Sequence, residues 1–231
     1  MIIGSGITIG NGITISNISN VSNLITDGLI LNLDASNYSG SGTTWTDLSG
    51  QGNNFNFNDG DASFTSSDNQ SYFTFGNVAT GGNILPATAY TKIAIFKVSG
   101  GFGNIISGGI TNYDHAFWGG DSPYLLSGHN GNWFGISSAN PVPSNQWAFG
   151  AVSFDTTNGW HLYLGTETPV TLADTGTFSP DPAGVEIGGF SGNANNMSGD
   201  VGIALIYNRV LTDSEIYQIR TYYQSRFTNL Y

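Results

Sequence analysis

The chain of 231 residues carries five Lys and Arg against sixteen Asp and Glu, a net charge of −11, with no basic residue before Lys92 and no cysteine. Nucleic acids and anionic membranes are bound through clustered cations, so neither fits as a partner, and disulfides and thiolate chemistry are excluded outright. No apolar run approaches the ~20 residues of a membrane span and no charged segment precedes an apolar core near the start, so the chain is expected to be made in a cytoplasm without membrane insertion.

Charged residues are only 9% of the chain. The abundance of Gly, Asn, Ser and Thr predicts an all-β protein of short strands joined by polar turns. At the start, Ile3-Gly4-Ser5-Gly6-Ile7-Thr8 is repeated as Ile9-Gly10-Asn11-Gly12-Ile13-Thr14, and two copies are too few for a solenoid core. This arm, residues 1–26, is expected to anchor the chain by adding a strand to a neighbouring subunit through Ile3, Ile7, Ile9, Ile13 and Ile15, with a flexible tail as the alternative. Residues 27–231 then form one domain.

Within it, Leu29 to Leu33 is the first strand, and Phe55, Phe57, Phe64, Tyr72, Phe73 and Phe75 mark aromatic strands. Tyr90 to Val98 is apolar on both faces, the mark of an inner strand. Short apolar segments alternating with glycines from Gly101 to Gly135 predict a meander. Gln146 to Asp155 and Trp160 to Leu164 read as a hairpin, Thr168 to Asp181 as loop and Val185 to Phe190 as a strand. From Val201 to Tyr207, Val201, Ile203, Leu205 and Tyr207 alternate with Gly202, Ala204 and Ile206, which predicts one bulky and one small face. Thr212-Asp213-Ser214-Glu215 is a capping box with Leu211 as its staple on Ile216. The helix it opens carries Ile216, Ile219, Tyr223 and Phe227 on one face, with Arg220 and Arg226 late, where the dipole favours cations.

Gly28-Leu29-Ile30-Leu31-Asn32-Leu33-Asp34-Ala35-Ser36, the W-x-D-L-S-G-x-G-N-N loop from Trp45 to Asn54, the hairpin, and a final strand leading through Ile206-Tyr207-Asn208-Arg209-Val210-Leu211 into a terminal helix resemble, in that order, laminin-G-like domains of the concanavalin A-like jelly-roll superfamily. The resemblance covers about residues 28 to 220. It implies a concanavalin A-like jelly-roll sandwich of two antiparallel sheets, with an N-terminal extended arm and a C-terminal helix. The Gly-Ile-Thr arm and the opening motif together also resemble structural proteins of tailed bacteriophages. That likeness implies a virion surface component, a capsid decoration or fibre-type protein, joined to other virion proteins through residues 1–26 and a homo-oligomer.

The chemistry-bearing residues are sparse. Retaining glycosidases need a close pair of carboxylates, whereas Glu167 and Glu186 have no acidic residue two positions away and Glu215 belongs to the helix cap. No catalytic residue is assigned, and the chain is expected not to be an enzyme. His115, His129 and His161 are too scattered for a zinc motif. Calcium is the one ion weighed, through Asp34, Asp59, Asp61 and Asp200, but no loop has the full ligand spacing and turn formation explains these aspartates, so no metal is assigned. As the alternative to the virion reading, Tyr113, His115, Trp118, Asp121, Tyr124, Asn130 and Trp133 combine aromatic faces with polar groups suited to a host glycan. The competing explanation is that these aromatics fill the sandwich core.

Overall fold

The computed structural model describes residues 7–9, 13–15, 23–67, 70–101, 103–109, 115–119, 123–130, 132–176, 184–190 and 195–231. In the arm, β1 (Ile7–Ile9) pairs antiparallel with β2 (Ile13–Ile15), Ile7 opposite Ile15 and Ile9 opposite Ile13, so the two copies of the repeat pair with each other. A lone two-stranded ribbon is marginal in water. Ile3 and the side chains of the other four isoleucines lie outside the described residues.

The body runs β3 (Leu29–Asp34), β4 (Thr44–Trp45), β5 (Phe55–Asn56), β6 (Ala62–Thr65), β7 (Tyr72–Phe75), β8 (Ala79–Thr80), β9 (Ala89–Val98), β10 (Ile106–Gly108), β11 (His115–Gly119), β12 (Tyr124–His129), β13 (Asn132–Pro141), β14 (Ala148–Asp155), β15 (Gly159–Leu164), β16 (Val170–Leu172), β17 (Val185–Ile187), β18 (Gly199–Tyr207) and α1 (Asp213–Gln224). The back sheet has the order β16-β15-β14-β9-β18-β7-β6, with β3 also on β18. The front layer is β10-β17-β8-β5-β4 continued by β11-β12-β13. An Asn104–Trp118 bridge and the Ile105 N–H on the Phe117 carbonyl join its two parts. All pairings between these strands are antiparallel, giving the sandwich that the resemblance implies.

Two cores follow from this layering. Trp45, Phe55, Ile106, Phe117 and Ile187 of the front layer meet Leu31, Phe73, Phe96, Val152 and Phe154 of the back sheet. On the far face of the back sheet, Ile93, Ile95, Phe149, Ile203 and Leu205 receive Ile216, Ile219, Tyr223 and Phe227 of α1. Each such side chain contributes roughly 1.5–3 kcal/mol on burial, and β9 is apolar on both faces because it serves both cores. Leu24 and Ile25 also pack on the helix-side core, and the Tyr207 hydroxyl donates to the Ile25 carbonyl, so residues 23–26 lie against the body.

The capping box forms as read: Thr212 accepts from the Glu215 N–H, the Glu215 carboxylate accepts from the Thr212 N–H, and Leu211 lies in one core with Ile216. Three local readings are corrected. The alternation in β18 breaks at Gly202, where a bulge sends Val201 into the inter-sheet core and Ile203, Leu205 and Tyr207 toward the helix. A Cβ at Gly202 would sit 2.6 Å from the Phe227 ring, so only glycine lets the helix side close there. Val170–Leu172, read as loop because of its prolines, is an edge strand, with Pro169 just ahead of the first ladder residue. The helix stops at Gln224, so Arg226 lies beyond it and neither arginine occupies its last turn.

Candidate functional site

Strand alternation in the front layer sorts the side chains of five short strands onto two faces. Trp45 opposite Phe55, and, two residues along, Ala79, Ile187 and Ile106 in register, lie on the face that enters the core. The neighbouring row, Thr44, Asn56, Thr80, Glu186 and Ser107, pairs laterally across all five strands and faces outward. Thr44, Asn56 and Thr80 are exposed, while Glu186 and Ser107 are buried at the other end. The Thr44 hydroxyl donates to Asn56 Oδ1 at 2.9 Å, the Thr80 hydroxyl to the Asn56 carbonyl at 3.3 Å and the Ser107 hydroxyl to the Gly189 carbonyl at 2.6 Å. Asn104, whose amide donates to the Asn195 carbonyl, bridges to Trp118, and Trp118 sits with Ala116 and Leu126 on the outward side of β11 and β12. Hydroxyls, amides and one carboxylate thus share one face with the buried Trp118 indole, a set whose polar groups can exchange hydrogen bonds with sugar hydroxyls.

The glycan cluster read from the sequence divides. His115 points the other way: its Nδ1 lies 2.7 Å from Lys92 Nζ inside the sandwich, and its backbone carbonyl accepts from the same ammonium. Burial, then the Lys92 charge, holds its imidazole well below the usual histidine range. The cause is the period of two, which places His115 and Phe117 inside and Ala116 and Trp118 outside. His115 is therefore removed from the candidate surface. Trp118 remains on it, and Tyr124, two residues from Leu126, shares that side of β12. Asn130 is exposed in a turn at φ 54°. Tyr113, Asp121 and the Trp133 side chain lie outside the described residues. Glu186, Asn56 and Thr80 were missed, although each is the polar residue in a very short apolar strand (Val-Glu-Ile, Phe-Asn, Ala-Thr), and that alternation is the signal that could have found them.

Three calcium candidates are already engaged. Asp34 receives the Arg226 guanidinium, Asp200 lies 2.6 Å from Lys97 Nζ, and Asp61 accepts from the Asn58 N–H and from the amides of Asn58 and Asn77. Among the described residues no three His, Asp or Glu side chains converge on a common point, and no helix is long and apolar enough to cross a membrane.

Residues 67–217, well over half of the chain, match the laminin G family described as the concanavalin A-like lectin/glucanases superfamily. The chain belongs to this superfamily. No curated protein matches it in sequence. Among solved structures, a Trypanosoma rangeli sialidase mutant displaying trans-sialidase activity matches with a TM-score of 0.61 at 16% identity, over 89% of this chain and 34% of that one. The T. rangeli sialidase itself matches at 0.56 and 18%, over 86% and 33%. The binding domain of Paraclostridial Mosquitocidal Protein 1 matches at 0.61 and 12%, over 87% and 52%. The chain thus spans about a third of the length of the sialidases and about half of that of the toxin domain. At these identities the likeness shows the fold alone.

The expectation that the chain is not an enzyme is corrected by the sialidase matches. It rested on the missing pair of carboxylates, and sialidases are among the glycoside hydrolases to which the carboxylate-pair rule does not extend.

Proposed function

We propose that the chain is a carbohydrate-binding, lectin-like module whose glycan lies along the outward face of the front layer. The observation that carries this reading is the in-register row Thr44, Asn56, Thr80, Glu186 and Ser107, which places the buried Glu186 carboxylate next to its Ser107 end on the face that also bears Trp118. A carboxylate there accepts hydrogen bonds from sugar hydroxyls, and such charge-assisted bonds contribute roughly 1.5–3 kcal/mol each. Membership of a lectin and glucanase superfamily supports the same ligand class.

A glycan array with the purified chain, followed by calorimetry on the best ligand, tests the proposal. Glu186→Gln is expected to weaken binding at least tenfold with the fold intact by circular dichroism, and Trp118→Ala to weaken it further. Binding to no glycan, or binding that neither substitution changes, overturns the assignment. Release of free sugar is followed in the same samples, since related folds occur in sialidases.

Display of this module on a virion, through residues 1–26, rests on the sequence resemblance of the arm. Deleting residues 2–16 is expected to abolish incorporation into particles while leaving the sandwich folded, and normal incorporation would contradict it.

A further inference from the structure

The protein has three arginines. Arg209 forks onto Glu215 and reaches Asp27, and Arg226 forks onto Asp34. Arg220 is 8% exposed and meets no carboxylate among the described residues: Nη2 donates to the Leu230 carbonyl, Nη1 makes a long contact of 3.4 Å with Gln224, and Nε has no acceptor. A guanidinium has five N–H donors and stays charged, so most of its capacity is unused here.

Arg220 lines a cavity of about 330 Å³ together with Gln146, Thr166, Glu167, Asn229 and Tyr231. The walls are fixed by the chain end, which lies alongside β14. The Tyr231 N–H donates to the Trp147 carbonyl, the Phe149 N–H to the Tyr231 carbonyl, Gln146 Nε2 to the Asn229 carbonyl, and the Tyr231 hydroxyl to Glu167 Oε1 at 2.6 Å. A buried cation thus lines the same cavity as the partly exposed Glu167 carboxylate, with amide and hydroxyl groups around it.

We infer that this cavity is a second binding site, on the helix side of the sandwich, for a monosaccharide-sized carboxylate whose acid group seats on Arg220 and whose hydroxyls donate to Glu167. The volume lies at the small end of ligand pockets. A planar guanidinium matches a carboxylate through two parallel hydrogen bonds, and a buried guanidinium with no carboxylate in contact among the described residues favours an anionic partner. The inference does not depend on the glycan face, which lies on the other side of the molecule.

Titration of the full chain with sodium glucuronate, with glucose and acetate as comparators, tests it. Glucuronate is expected to bind with a dissociation constant on the order of 1 mM, acetate more weakly, and glucose not measurably. Arg220→Gln is expected to weaken glucuronate binding at least tenfold. If Arg220→Gln does not fold, the Arg220 Nε–H resonance of the unaltered chain, identified by its absence in Arg220→Lys, is expected to shift with glucuronate and not with glucose. Equal responses to glucuronate and glucose, unchanged binding in Arg220→Gln, or a stationary Nε–H resonance overturns the inference.

Discussion

Arg226 lays its guanidinium on both carboxylate oxygens of Asp34, a residue 192 positions earlier, with Nη2 2.9 Å from Oδ1. The pair joins the end of the first body strand to the segment beyond the helix. Asp34 is almost covered and also accepts from the Ser36 N–H and hydroxyl, which caps the 3-10 turn at Ala35–Asn37. Removing one partner of a buried pair leaves the other charge uncompensated. Asp34→Asn is therefore expected to lower unfolding stability by about 2–4 kcal/mol in urea titrations. Arg226→Met should cost less, because Ser36 still serves the carboxylate and Met replaces the packing of the arginine stem. Equal losses, or losses under about 0.5 kcal/mol, would show the pair to be a solvated contact.

Glu215 gives a pH-dependent counterpart. The Arg209 guanidinium, and then the Thr212 donors, hold its carboxyl at about 2. The unfolded chain takes up this proton near the ordinary value of 4.5, so between those limits the unfolded state binds more protons and stability falls as pH falls. The contribution is complete above pH 4.5 and gone below about 2. Urea midpoints measured from pH 5 to pH 2 should converge between the parent and Glu215→Gln as the acid limit is approached. Parallel curves would separate Glu215 from acid stability.

The buried histidines act in a higher window. His129 packs against the rings of Phe154 and Trp160. Burial first, then the Lys92 charge, pushes it down to about 4, with Asp174 opposing. His115, beside Lys92, is lowered by the same two causes. Unfolded imidazoles protonate near 6.5, so stability is fully present above that pH and is lost as pH falls through about 4. NMR titration of the imidazole resonances is expected to place His129 near pH 4 and His115 well below the ordinary 6.5. A midpoint near 6.5 for either would mean that the interior admits water.

What was legible in the sequence is what short-range physics controls. The Thr212–Glu215 box, the apolar stripe from Ile216 to Phe227 and the doubly apolar β9 each declare themselves within a dozen residues. The superfamily was legible for a related reason, since its loop and strand motifs keep their order. The site was read less well. The Tyr113–Trp133 cluster was grouped by proximity along the chain, whereas the pleat sends His115 and Trp118 to opposite sides. Glu186 was passed over because the residues beside it in the row, Thr80 and Ser107, are about 80 to 106 positions away in the sequence. Gly202 hid a bulge for the same reason, because the ring that requires it, Phe227, belongs to another element.

The W-x-D-L-S-G-x-G-N-N loop allows the most direct test of whether a motif resides in a side chain or in the backbone. Asp47 is 7% exposed, and its two oxygens accept from the Asn32 N–H, the Ser49 N–H and hydroxyl, and the Asn53 N–H. Asn54 Oδ1 accepts from the Asp47 N–H, and Asn53 Nδ2 donates to the Ile30 carbonyl, so the loop is tied to β3 from both sides. Gly52 contributes only a positive φ of 75°, with open space where a Cβ would stand. Asp47→Asn must turn an amide N–H₂ toward donors and is expected to cost about 2–3 kcal/mol through unsatisfied groups. Gly52→Ala should cost about 1–2 kcal/mol for the left-handed backbone alone. Urea unfolding of the two variants ranks them. If Gly52→Ala proved the more damaging, the motif would owe its form to the chain's turn geometry, with the carboxylate a passenger.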